Sequence, residues 1–527
     1  MAAPLPAAAT RVRVKRFYKV MTAGRRKSGY GVGSMVVYYY KGYGMRMNVL
    51  NGWNTTLASG CGKYAWRLAV IALLVLAMGR TLHAASRQFY LKPGDRVLFY
   101  GDSITAQGFY PADVELYVRT RFPNLHVRFI NSGYSGDTVA GGAAGPINLR
   151  LKRDVYPFKP NVITIMLGMN DGGYTPFNEK RFTKFTTGYT HIIMSLRKHL
   201  PDAKITLIEP SPWDDVTHKP FFMWDPKYHG PGSYNDVLIR YGQFVRQLAM
   251  KYHLMCVNFN QPLVDVLRKA NRINHALATQ IIPGRIHPMA NGQLVMAEAL
   301  LKAWGAPATV TAVQVNVGDK AVVKADNTSI SGLTVSHGMI AWTQMDKALP
   351  MALMDLHDNW PQFPPLLTWT LSADKFWEAP GPNWNYVNAV TALVVKLSRF
   401  YSTLDQESLK VNGLSAGRYT LKIDGHVIGT FTSGDLSTGI NLARYHTPML
   451  AQSYRVMAAI WHEQQTRFYI LRDVEVPLQK YGPSALSRKK SALVRALYHH
   501  LFHHVDAQSY AAARPQAHRY ELIPMGN

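Results

Sequence analysis

Residues 97–105, VLFYGDSIT, decide how this chain folds. Val97 to Tyr100 form a short unbroken apolar run, the pattern of a strand buried on both faces rather than a half-exposed one. Gly101-Asp102-Ser103 then turns tightly at the end of that strand. The unit recurs downstream, with strand candidates at Val127 to Ile130, Val162 to Met166, Ile205 to Ile208 and Met255 to Phe259. Helix candidates lie between them, around 111–121, 147–156, 180–199 and 234–252. Strand and helix alternating at this spacing imply an α/β unit with a parallel sheet covered by helices on both faces. In such sheets ligands bind beyond the carboxyl ends of the strands, so the residues directly after each strand are where chemistry is expected. A last helix from Asn291 to Trp304 ends at Gly305-Ala306-Pro307, a stop signal that closes the unit.

Beyond that stop the alternation is lost. Residues 311–345 read as short strands, including Val313 to Val315 and Leu333 to Val335, and 417–432 as a hairpin turning at Asp424-Gly425. Residues 447–470 and 483–513 read as helical. The expected division is therefore a basic extension over 1–60, a signal peptide or membrane anchor over 61–85, the α/β unit over 86–310, a β-rich module over 311–440 and a helical region over 441–527. The extension is expected to be unstructured or to precede the true start at Met45 or Met47.

The chain has 527 residues and a formal charge of +27, which first suggests a nucleic-acid binder. The charge is uneven, however: residues 1–85 carry 13 basic residues and no acid, whereas 311–527 contribute only +4. Residues 68–78, LAVIALLVLAM, follow Lys63 and Arg67 and precede Ala84-Ala85, the layout of a secretory signal too short for a comfortable membrane span. Cleavage near Ala84 or Ala85 and a secreted or periplasmic protein are expected, with membrane anchoring through an uncleaved segment as the alternative. Nucleic acid is not an expected partner. Cys61 and Cys256, far apart, exclude a disulfide framework or a Cys-based zinc site.

Four motifs follow the strands or precede the last helix: Gly101-Asp102-Ser103, Asn131-Ser132-Gly133-Tyr134-Ser135-Gly136-Asp137-Thr138, Gly168-Met169-Asn170-Asp171 and Ile286-His287-Pro288. Acyl transfer needs a nucleophile, a base within hydrogen-bond reach and donors aimed at the developing oxyanion. Ser103 and His287 suit the first two roles. The Ser103 amide, Gly133 amide and Asn170 side chain suit the third. Over about residues 95–305 the chain resembles the SGNH, or GDSL, hydrolases, whose name lists these four residue types in this order. The resemblance implies a three-layer flavodoxin-like domain and a serine ester hydrolase that needs no metal or cofactor.

One position departs from that pattern. The family usually carries Asp three residues before the histidine, and here Gly284 stands there. Losing the orienting acid of a triad costs on the order of ten-thousand-fold in turnover. Either a dyad with the ring held by a carbonyl near Pro283 or a water, or an impaired relative that binds acylated glycans without turnover, remains open. Asp102 and the aromatic stretch Pro210 to Ser233, with Trp213, Phe221, Phe222, Trp224 and Tyr228, are weaker substrate-contact candidates. The substrate is expected to be a small-molecule or carbohydrate ester, with acylated carbohydrate favoured. His499, His500, His503 and His504 share a helix face at a spacing that can bind a metal, but no carboxylate or Cys completes a site and a solvated or partner-facing helix is expected.

Overall fold

The computed structural model of the protein describes residues 36–40, 45–49, 88–225, 227, 230–354, 388–481, 489, 490, 492, 493, 496 and 506–526. It divides into two units, Met1–Ala85 and Ser86–Asn527. In the first, Val36–Tyr40 and Met45–Val49 pair antiparallel. This ribbon lies inside the extension expected to lack structure, and its β-branched and aromatic run, VVYYY, accounts for it. The apolar run 68–78 lies outside the described residues, as does the His499–His504 cluster. Among the described residues no helix is long and apolar enough to cross a membrane.

The second unit is built on a five-stranded sheet of β1 (Arg96–Gly101), β2 (Arg128–Asn131), β3 (Val162–Met166), β4 (Lys204–Glu209) and β5 (Met255–Asn258). Every pairing is parallel, and the order across the sheet is β2-β1-β3-β4-β5. That is the flavodoxin-like doubly wound order, whose direction of winding reverses between β1 and β3. The reversal opens a crevice at the carboxyl ends of those two strands, where Ser103 and Asn170 emerge. Val97, Leu98, Phe99 and Tyr100 are all buried, as two covered faces require.

The covering helices are α1 (Ser103–Ala106), α2 (Phe109–Arg121), α3 (Ile147–Asp154), α4 (Glu179–His199), α5 (Tyr234–Tyr252), α6 (Asn260–Ile273) and α7 (Ala290–Ala303). The sequence reading did not include α6. It starts directly after β5 and carries Pro262 in its first turn, where proline is tolerated. Its apolar residues Leu263, Val266, Leu267 and Ala270 recur at helical spacing and are buried.

The β-rich region holds two sheets. In one, β6 (Thr309–Asn316) pairs with β7 (Ala321–Asp326) and lies parallel to β10 (Gln406–Asn412), which adds β13 (Ile440–Asn441) at its edge. The other has the order β8-β9-β14-β11-β12, from Thr328–Ser336, Met339–Asp346, Ala517–Pro524, Arg418–Ile423 and His426–Thr432. The β11–β12 hairpin turns at Asp424 and Gly425, both with positive φ, as its two-residue turn demands. Strand β14 corrects the expectation of a helical region running to the carboxyl end. Its alternation, with His518, Tyr520 and Leu522 turned inward, is the period-two signature of a strand.

Two further helices join the α/β core. Helix α8 (Ala389–Ser398), within the segment read as β-rich, packs on α6 and α7 and buries Val390, Val394 and Val395. Helix α9 (Pro448–Tyr469) packs on α2, with Trp461 stacked on Phe109 at 5.2 Å between centroids. It continues through a wide π-helical turn, Ile470–Glu475, into Val476–Tyr481. Buried Arg119 on α2 is shared by Glu115, by Glu463 of α9 and by Asp506, and lies over the Tyr510 ring. These contacts fasten the helical region to the α/β unit.

Candidate active site

Ser103 opens α1 directly after β1. Asp102 caps that helix by accepting a hydrogen bond from the Ile104 amide at 3.0 Å, which fixes the turn carrying the serine. Asp102 is buried and committed to this cap, so it does not fill the substrate-contact role considered for it. Burial pushes its carboxyl up to about 7, and that of Asp171 likewise.

His287, just before α7, places its Nε2 2.8 Å from Ser103 Oγ. Burial lowers its pKa to about 4, so above that pH the imidazole is neutral and able to accept a proton. Gln293 on α7 ties the two halves together. Its Oε1 accepts from the Tyr110 amide at 3.0 Å, and its Nε2 donates to Gln107 Oε1 and to the Pro288 carbonyl. This crosslink has no sequence signal, because it joins Gln107, 186 residues upstream, to Pro288, only 5 residues upstream. Gly284 stands in the left-handed region at φ +69, followed by Arg285 at φ +72, and a Cβ on Gly284 would meet nothing within 4 Å.

Asn170 follows β3. Its Nδ2 donates to the Asp137 carbonyl at 2.9 Å, while Tyr174 Oη donates to its Oδ1 at 2.7 Å. The tyrosine thus orients the amide and leaves the second N–H of Nδ2 for a ligand. Val139 N donates to Asp171 Oδ1 at 3.0 Å, so the loops after β2 and β3 are pinned together beside the serine.

The loop after β2 corrects one expectation. The Gly133 amide donates to Asn131 Oδ1 at 3.0 Å and is therefore committed. Gly133 is buried, and a Cβ there would lie 2.4 Å from the Ala106 amide nitrogen; glycine is present because the loop runs against the serine helix. Gly136, three residues on, is exposed, and its amide donates to no protein group among the described residues. It adjoins Asp137, whose carbonyl holds Asn170. Of the loop's two glycine amides, that of Gly136 is therefore the uncommitted one, and it joins the Ser103 amide and Asn170 Nδ2 as a candidate donor.

The aromatic loop also differs from expectation. Trp213 is fully buried, packed on Tyr174 at 5.8 Å and Tyr234 at 5.6 Å, so it supports the wall that holds Asn170. Trp224 is 69% exposed, and its amide donates at 3.3 Å to the carbonyl of Tyr174, the residue that orients Asn170. Tyr228 lies outside the described residues.

Residues 99–295 match the model of the GDSL-like lipase/acylhydrolase family. An acetylxylan esterase of Geobacillus stearothermophilus is 26% identical over 234 residues, covering 40% of this chain and 94% of that protein. Among solved structures, a gut microbial diltiazem-metabolizing enzyme is 25% identical with a TM-score of 0.67, covering 83% of this chain and 99% of that one. The first likeness covers less than half of this chain. The second, covering 83% of this chain, necessarily reaches beyond the α/β unit.

Proposed function

We propose, from the membership of residues 99–295 in the GDSL-like lipase/acylhydrolase family, that the chain deacylates carbohydrate esters through an acyl-enzyme on Ser103. The unit is an ester-bond hydrolase; the residues, substrate and export route below are our reading. In it, Ser103 Oγ attacks the acyl carbon while His287 Nε2 takes its proton. Negative charge gathers on the former carbonyl oxygen, which the Ser103 and Gly136 amides and Asn170 Nδ2 stabilise. Collapse expels the alcohol, which receives the proton from His287, and water repeats the sequence to release the acid.

The observation carrying this assignment is the 2.8 Å hydrogen bond between His287 and Ser103 at the carboxyl edge of the sheet. The acetylxylan esterase relative and the exposed Trp224 ring favour an acylated carbohydrate, since aromatic faces stack on sugar rings. Export is supported by the apolar run 68–78 behind Lys63 and Arg67. Mass spectrometry of the mature amino terminus tests it, with a start at or just after Ala84 or Ala85 expected. A second reading, binding of acylated glycans without turnover, is favoured by Gly284 in place of the usual acid. A screen of acetylated sugars against longer-chain esters separates them: the proposal expects acetate release, while binding with no release supports the second reading.

A further inference from the structure

The loop Asn131–Thr138 is held on one side by Asn170 and Asp171, and on the other by a helix from the far end of the chain. Arg467 on α9 is buried, and its Nε donates to the Asn131 carbonyl at 2.5 Å, across 336 residues of sequence. Its Nη2 lies 3.5 Å from Ser132 Oγ. Asn131 in turn donates from Nδ2 to the Thr105 carbonyl of the serine helix at 2.8 Å and accepts from the Gly133 amide. Arg467 therefore grips the residue that joins the oxyanion loop to the nucleophile.

Three further features converge on the same spot. Arg150 Nη2 donates to the Ser132 carbonyl at 2.8 Å, so two buried guanidinium groups hold adjacent carbonyls. Beyond Arg467 the helix widens into the π-helical turn Ile470–Glu475, a local form that often accompanies functional sites. That turn brings Leu471, with Val476, against Ala144 and Tyr134 of the loop. A fold that only needed to cover α2 would not require a widened turn directed at this loop.

We propose that Arg467 is a positioning residue for acyl transfer, and that α9 is a working part of the catalytic site through it. This rests on the assignment of the oxyanion donors to the loop. Charge-assisted hydrogen bonds to backbone are the strong ones, and displacement of a catalytic group by about 1 Å can cost on the order of a hundredfold in rate. Arg467→Met keeps the stem and removes the donors. In the full chain with an aryl acetate, it is expected to lower kcat about ten- to a hundredfold while KM stays within about twofold. Arg467→Lys should recover part of the loss.

Gln452 sits on the same helix away from the loop, where its Nε2 donates to the Ala512 and Arg514 carbonyls. Gln452→Ala is expected to lower Tm with kcat unchanged. A kcat for Arg467→Met within about twofold of wild type, or one that falls no more than in Gln452→Ala at the same loss of Tm, overturns the proposal. If Arg467→Met does not accumulate as folded protein, Leu471→Ala decides, with a fall of about three- to tenfold in kcat expected and no fall overturning it. Fluorophosphonate labelling of wild type runs alongside: no label on Ser103 refutes the acyl-enzyme reading itself, whereas label with an unaffected Arg467→Met refutes only the brace.

Discussion

The two loops that meet at Ser103 are built on opposite plans. The Asn131–Thr138 loop is clamped from four directions: by the side chains of Arg150 and Arg467 on its carbonyls, by Asn170 on Asp137, and by the backbone of the serine helix against Gly133. The Pro283–Pro288 loop carries two successive left-handed residues, open space around Gly284 and a lighter set of bonds. Asp214 N donates to the Arg285 carbonyl at 3.0 Å, Arg285 Nη1 reaches the Lys219 carbonyl at 2.8 Å, and Gln293 holds Pro288. Donors that must meet a developing charge gain from rigidity. A base that collects a proton and returns it is served by a loop held mainly through its backbone. Substitutions on the first loop should therefore damage turnover through geometry, and those on the second should trade stability against the state of the histidine.

The contrast can be broken in several places. Ser103→Ala, at the junction of both loops, is expected to reduce hydrolysis of an aryl acetate on the order of ten-thousand-fold or more. Unchanged turnover would remove the junction from the mechanism. Gly133→Ala places a Cβ 2.4 Å from the Ala106 nitrogen, where the three nearest atoms are all backbone and cannot yield cheaply. It should cost about 1–3 kcal/mol in denaturant unfolding and lower kcat with it; full activity at wild-type stability would show the loop to be loose.

Gly284→Asp tests the other plan. The left-handed backbone should cost about 1–2 kcal/mol, while the added carboxylate is expected to raise kcat several-fold by stabilising the imidazolium. An unchanged kcat would show that the ring is already held. The smallest effect is on pH. With the His287 imidazole lowered to about 4, the acid limb of kcat/KM should lie near pH 4 and not near 6.5. Over the same window the unfolded chain takes up a proton that the folded one refuses, so this group makes stability fall as pH falls from about 6.5 to about 4. A limb near pH 6.5 would mean that the histidine is not desolvated as the structure has it.

Much of this site could be read from the chain because parallel strands are buried on both faces and announce themselves as apolar runs. Ser103, Asn170 and His287 were legible from their places after a strand or before the last helix. Gly133 and Gly136 could not be told apart, since each lies in the same loop and they differ only in tertiary setting: Gly133 is buried against the serine helix and bonded to Asn131, Gly136 is exposed. Trp213 and Trp224 are equally aromatic in sequence, yet one is buried behind Tyr174 and the other open. Strand β14 was hidden by charged residues at its outward positions, and Arg467 carries no local signal because its partner lies 336 residues upstream.

Covalent labelling with a fluorophosphonate, mapped by peptide mass spectrometry and paired with a rapid-mixing assay on an aryl acetate, tests the central claim most directly. The account predicts stoichiometric label on Ser103 and a burst of aryl alcohol of matching size. Label on another residue, or steady release with no burst and no label, would contradict it.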